Sequence, residues 1–310
     1  MRPFRFGVNV RTTGSHGEWA DKARKVEALG YAVLLMPDHL ADLLAPMPGL
    51  TAAAAATTRL RVGTAVLNND FRHPVLVARE AATLDVLSGG RLELGLGAGH
   101  MQSEYEQAGL GFEPGATRVE RLAESVVLIK RLFESEAVTF AGRHYRVTGH
   151  TIHPRPVQRP RPPIFIGGNA PRLLSVAARE ADIIGFTGIM FRRGAREVDV
   201  SDCRAAVVDE RVRLVREMAG DRYEHLELNA LVQRVIVTDD RRKAAAALTG
   251  ALSRLSPDEI LASPYVLVGT VDQMVADLEA RRERWGISYV MTREAFMDEL
   301  APVVARLVGR

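Results

Sequence analysis

The chain has a single cysteine, Cys203, in 310 residues. A lone thiol excludes an intramolecular disulfide and fits a reducing compartment. Cys203 lies in a charged segment outside any motif, so no chemistry is assigned to it. Long apolar runs are also missing, since none reaches the roughly 18 residues of a membrane-spanning helix. The first apolar residues, Phe4 to Val10, alternate and are too few for a secretory core. A soluble, cytoplasmic protein is therefore expected. Excess charge of one sign is small: 41 basic against 38 acidic residues leave +3. No basic stripe interleaved with aromatic platforms exists, so neither nucleic acid nor a membrane surface is an expected partner. The one basic concentration, Arg155, Arg159 and Arg161 among the prolines of 153–161, reads as a solvated loop. Internal repeats are absent, and low complexity is confined to Ala52–Ala56. No metal-ligand set is assigned.

What remains is ordinary globular composition, 47% hydrophobic and 25% charged, arranged as alternating strands and helices. Phe4–Val10 alternates as a strand. Glu18–Leu29 carries a helical stripe through Trp19, Ala23, Val26 and Leu29, ended by Gly30. Tyr31–Met36 is a continuous apolar run, as a strand buried on both faces requires. A helical segment at 49–57, a strand at 60–67 and a helix at 74–87 follow. Arg118–Glu134 is amphipathic, with Leu122, Val126, Ile129 and Phe133 on one face. Between residues 138 and 162 the pattern loosens into short alternating pieces and proline turns, read as an insertion. Strands are then expected at 163–167, 182–187, 226–237 and 287–291, with helices at 171–180, 202–218, 240–252, 271–285 and 296–308. Eight strands alternating with helices, with no compositional break, predict one domain over residues 1–310. They also predict a closed parallel (β/α)8 TIM barrel, with the insertion between the fourth and fifth strand–helix units.

The stretch that organises the chain is Leu84–Gly99. Ser88-Gly89-Gly90 ends a helix, because glycine accepts the left-handed conformation a helix C-terminus needs. Arg91–Leu96 reads as the fourth strand. Gly95, Gly97 and Gly99 follow with period two, marking close approach of another backbone or a ligand, or a bulky neighbour packed on the strand. These are not the intervals of a dinucleotide fingerprint. In a barrel, function sits where strands end and helices begin. Polar and glycine clusters mark four such exits: Pro37-Asp38-His39; Asn68-Asn69-Asp70-Phe71-Arg72-His73-Pro74; Gly97-Ala98-Gly99-His100; and Gly167-Gly168-Asn169-Ala170.

Taken together, the segments 37–40, 71–74, 85–99, 156–160 and 163–171 resemble the luciferase-like monooxygenase family, in its order and spacing, from Phe4 to about Met291. Ser-Gly-Gly-Arg (88–91) is the most specific part. The family includes flavin-dependent monooxygenases and oxidoreductases using the deazaflavin coenzyme F420. The resemblance implies a redox ring at the C-terminal mouth, with Asp38 and His39 beside it. It implies a non-proline cis peptide between Ala65 and Val66 behind the ring, and Asn68 and Ala98 among the residues near the cofactor. Gly167, Gly168, Asn169 and Ala170 would hold the cofactor's phosphate on exposed backbone N–H groups at a strand-to-helix turn. Glu104 matches an acid that faces the ring in some coenzyme F420 enzymes. Phe71 and His100 would line the substrate side. Leu43 replaces a ring-stacking tryptophan of the sugar-phosphate dehydrogenase members, and His100 replaces an acid there, which argues against glucose 6-phosphate as substrate. The expected activity is hydride transfer between coenzyme F420 and a small organic molecule. The alternative is a reduced-FMN monooxygenase using O2. Asp-His after the second strand and an alanine- and arginine-rich composition favour the deazaflavin. Family members are often homodimers, and a non-catalytic cofactor carrier is the remaining class.

Overall fold

The computed structural model describes residues 1–188, 203–249 and 255–310. In chain order the first half contains β1 (Arg5–Asn9), α1 (His16–Ala28), β2 (Val33–Met36), α2 (Pro46–Ala56), β3 (Arg61–Thr64) and β4 (Leu67–Asn68). It continues with α3 (Pro74–Leu87), β5 (Leu92–Gly97), α4 (Gln102–Gln107) and α5 (Gly115–Glu134). The second half contains β6 (Val138–Ala141), β7 (Arg146–His150), β8 (Ile164–Gly167), α6 (Pro171–Glu180), β9 (Ile183–Phe186) and α7 (Ala205–Ala219). After these come β10 (Glu227–Val232), β11 (Arg234–Val237), α8 (Arg241–Leu248), α9 (Pro257–Ala262), β12 (Val266–Gly269), α10 (Val271–Trp285), β13 (Ile287–Arg293) and α11 (Met297–Leu307).

Eight parallel strands run in the order β3-β2-β1-β13-β10-β9-β8-β5, and pairing of β3 with β5 closes the ring. This is the expected (β/α)8 barrel. Its lumen is packed by inward side chains of β2, β8, β9 and β13, namely Val33, Leu35, Phe165, Ile183, Tyr289 and Met291. Below them Arg5, Glu93, Arg61 and Glu227 form an ion cluster at the N-terminal end, with Arg5 Nη1 to Glu93 Oε1 at 2.5 Å and Arg61 Nε to the same oxygen at 2.7 Å. The outward faces of the strands meet the helices in the larger core.

The insertion is an antiparallel β6–β7 hairpin followed by a loop with cis Pro154 and cis Pro160. Buried Asp85 holds that loop, accepting from the backbone N–H groups of Val157 (2.7 Å) and Gln158 (2.9 Å). Of the three basic residues expected to be solvated, Arg159 is exposed and the other two are anchors instead. Arg161 pairs with Glu134 and Asp182, and Arg155 donates to backbone carbonyls at the end of α5.

Three expectations change. The single strand at 226–237 is two: β10 belongs to the barrel, whereas β11 leaves it at Gln233 and pairs outside with β12, which the sequence reading had missed. The strand at 60–67 is interrupted at the Ala65–Val66 cis peptide, so β4 is a separate two-residue piece against β5. Of the helix expected at 240–252 only α8 is described, since residues 250–254 lie outside the described residues, as does Asp202, the first residue of the helix expected at 202–218.

Candidate active site

Asp38 ends the second strand unit and is almost fully buried, with 3% of its side chain exposed. It is not a helix cap. Its carboxylate takes both amino groups of Arg72, at 2.5 and 3.1 Å, and accepts from the Asn68 backbone N–H at 2.9 Å. A paired, multiply hydrogen-bonded carboxylate of this kind is a fixed anchor that ties the exit of β2 to that of β4. His39, next in the chain, lies against Glu104 of α4, its Nδ1 2.9 Å from Oε1 and 3.2 Å from Oε2. Glu104 is 7% exposed, so it is no surface glutamate. An ionised Glu104 accepts from Nδ1–H, which fixes the tautomer and leaves Nε2 of the neutral ring as an acceptor.

His100, from the turn after β5, stands edge-on to His39 with ring centroids 5.4 Å apart. One side of His100 meets solvent, yet the surrounding protein and then the neighbouring His39 and Arg118 push it down to about 4. It is therefore a neutral imidazole near neutral pH. Beneath these groups Tyr105 donates to Asn68 Oδ1 (3.0 Å) or Asp70 (3.1 Å), and Phe71 packs on the Tyr105 ring at 5.2 Å. Arg118 of α5 donates to the Ala98 carbonyl at 3.2 Å and stacks on Phe112. Arg72, Tyr105 and Arg118 were not among the site residues expected from sequence. Arg72 carried a signal, since it sits in the polar exit after the third strand; Arg118 is indistinguishable in sequence from any helix-surface arginine.

The Ala65–Val66 bond is cis, as the resemblance implied. Both side chains are partly buried against the lumen plug, an apolar platform at the bottom of the mouth. The period-two glycines make room for this corner. A Cβ on Gly95 would lie 1.8 Å from the Thr64 carbonyl oxygen, and one on Gly97 would lie 2.5 Å from Val66 Cγ2. Gly99, at φ +73°, would press on Tyr105 and Asn68.

Beside this corner, at the end of β8, Gly167–Ala170 leads into α6, whose N-cap is Ala170 and whose first residue is Pro171. The expectation of a fully exposed backbone cradle needs one correction. The Gly168 N–H is committed to the Gly185 carbonyl at 3.0 Å, and Asn169 is buried against Thr187, donating from Nδ2 to Oγ1 at 3.1 Å. The first turn of α6 retains the unsatisfied N–H groups that any helix start has. An apolar platform, a His–Glu pair at its edge and a helix N-terminus beyond suit a planar ring with an anionic tail.

The luciferase-like monooxygenase family model matches residues 1–289. An F420-dependent glucose-6-phosphate dehydrogenase of Nakamurella multipartita is 31% identical over 299 residues, covering 92% of this chain and 84% of the relative. One from Microbacterium testaceum is 35% identical over 189 residues, 58% of this chain, and that match spans only 55% of the relative. Among solved structures, an F420-dependent secondary alcohol dehydrogenase in complex with an F420-acetone adduct superposes with TM-score 0.78 at 18% identity, covering 99% of each chain. At that identity the likeness is one of fold.

Proposed function

Because this chain belongs to the luciferase-like monooxygenase family, we propose that it is an oxidoreductase that transfers a hydride between coenzyme F420 and a small organic substrate. The observation that carries the reading is the His39–Glu104 pair at the edge of the Ala65–Val66 platform. The name of the relative from Nakamurella multipartita, matched over most of its length, supports the same cofactor.

When bound, coenzyme F420 supplies the hydride donor or acceptor, and the protein supplies position and proton traffic. Ala65 and Val66 bear the ring from behind. Asn68 and Ala98 would shape the wall, and the turn Gly167–Ala170 with the first turn of α6 would hold the phosphate, without the N–H of Gly168, which is bonded to Gly185. With Nδ1 held by Glu104, Nε2 of His39 would be the atom free to accept or return the proton that accompanies hydride transfer. Glu104 sets its tautomer, and Asp38, locked by Arg72, fixes the segment on which His39 stands. Phe71 and neutral His100 line the substrate side. Leu43, partly buried where sugar-phosphate dehydrogenase members carry tryptophan, and His100, where they carry an acid, direct the reading away from glucose 6-phosphate. The family's monooxygenase description favours a second reading, oxygen chemistry with reduced FMN.

Equilibrium titration of the purified protein with coenzyme F420 and with FMN, followed by cofactor fluorescence, separates the two. Micromolar binding of F420 with much weaker binding of FMN is expected. The reverse preference moves the assignment to oxygen chemistry, and no binding of either removes the proposed site.

A further inference from the structure

The barrel mouth has a second polar face, on the arc β10–β13–β1. In the eight-strand ring β13 stands four strands from β5, directly across from the strand that leads to His100 and Glu104. Tyr289 and Met291 of β13 point into the lumen, so Arg293, next in that alternation, emerges above the plug. Arg293 is in register with Asn9 of β1, two residues before Arg11. On its other side Thr292 pairs with Val232 of β10. This places Gln233 within reach, and Arg293 Nε donates to Gln233 Oε1 at 2.8 Å. Arg234 follows, its guanidinium 5.6 Å from the Phe296 ring centroid.

Three guanidinium groups thus come from three adjacent strand ends. None forms an ion pair with a carboxylate among the described residues, whereas Arg5, Arg61, Arg72, Arg121, Arg161 and Arg241 each do. Glu294, the acid nearest in sequence, is taken by Lys22 at 2.5 Å. Partial burial, then the charges of Arg11 and Arg234, hold Arg293 below the ordinary guanidinium range. Converging like charges without a counter-charge cost free energy in the unliganded protein, and a bound anion offsets that cost. Arg293 is already oriented by Gln233, which reduces the entropy lost on binding.

We propose that Arg293, Arg11 and Arg234 form an anion subsite that takes a carboxylate or phosphate group across the mouth from His39 and Glu104. This rests on the function proposed above for its role and deepens it. The α6 turn is assigned to the cofactor's phosphate, so the arginine face serves the substrate, which is then a small organic acid or phosphate ester. The test is calorimetric titration of the intact protein with inorganic phosphate, for wild type, Arg293→Gln and the double variant Arg11→Gln/Arg234→Gln, alongside the F420 titration. Each variant is expected to bind phosphate about tenfold or more weakly, as loss of charge-assisted hydrogen bonds implies, with F420 affinity unchanged. The double variant alters only exposed side chains, so it reads the subsite even if Arg293→Gln folds poorly. Unchanged phosphate binding in the variants overturns the subsite. A parallel fall in F420 affinity overturns its assignment to substrate, since the anion would then be the cofactor's own. Phosphate binding does not require F420, so failure of the cofactor reading and failure of the subsite give different results.

Discussion

His39 is held at one nitrogen by Glu104, and this division of labour makes its replacement informative. His39→Ala removes the group placed to exchange a proton at the ring while leaving Asp38, Arg72 and the platform in place. Turnover of the first substrate that the wild type accepts with F420 is expected to fall by about 10²–10⁴-fold, the usual worth of a positioned acid–base group. F420 affinity should change by less than about tenfold, a loss well short of the fall in turnover. Glu104→Ala should lose less turnover, because it acts through the imidazole. His100 contributes no titration near neutrality, its value lying near 4, so a pH profile between 6 and 8 reports other groups. At this scale the sequence indicated Asp38, His39 and Glu104 through the family likeness. It could not indicate that Asp38 is spent on Arg72, because Arg72 lies 34 positions further along the chain.

At the scale of elements, the corner where β3 meets β5 decides the shape of the mouth. The strand breaks at Ala65–Val66, and Gly95 and Gly97 accommodate the displaced chain. The obstacle at Gly95 is backbone, the Thr64 carbonyl, which also accepts no easy shift because Thr64 Oγ1 is bonded to Gly95 at both its N–H and C=O, each at 2.8 Å. Gly95→Ala is therefore expected to destabilise the fold by about 1–3 kcal/mol or more, the range for overpacking a tight core. Denaturant unfolding would show it as a lower midpoint. An unchanged midpoint would mean that β3 moves freely against β5. Glycine spacing alone left open whether the neighbour was backbone, bulk or ligand; the structure shows backbone at Gly95 and the Val66 side chain at Gly97. The seventh strand shows the converse failure. Leu226–Val237 is one continuous β-rich run in sequence, and only pairing with β12 pulls its second half out of the barrel.

For the whole molecule, the N-terminal ion cluster closes the barrel at the end away from the site. Burial by itself would raise Glu93, but Arg5 and Arg61 outweigh it and hold the carboxylate below its ordinary range. A depressed folded-state value means that the unfolded chain binds a proton first as pH falls. The stabilisation is thus fully present above the ordinary glutamate value of about 4.3 and is lost as pH drops through the folded one. Glu93→Gln takes the carboxylate away from two half-buried cations, of which Arg5 keeps Glu227, and about 1–3 kcal/mol of stability should disappear at pH 7. The difference between variant and wild type should shrink as unfolding is followed down from pH 5 to pH 3. A constant gap across that range would remove Glu93 from the acid transition.

The sequence by itself determined the alternation of strands and helices, and with it the closed barrel and the rim on which chemistry sits. Those features are local: periodicity, helix stops and glycine turns act over a few residues. Even its most specific stretch turned out to be architectural, with Arg91 donating to the carbonyls of Ala54, Leu60 and Ser88, and Asp85 just before it clamping the insertion. Tertiary structure alone decided which charges meet. Arg72 was matched to Asp38, the Gly168 N–H was withdrawn from the anion turn, and Arg11, Arg234 and Arg293 were gathered from three distant segments onto one arc. Barrel closure brings residues hundreds of positions apart within a few ångströms, and electrostatic partnership depends on that distance, which no spacing along the chain encodes.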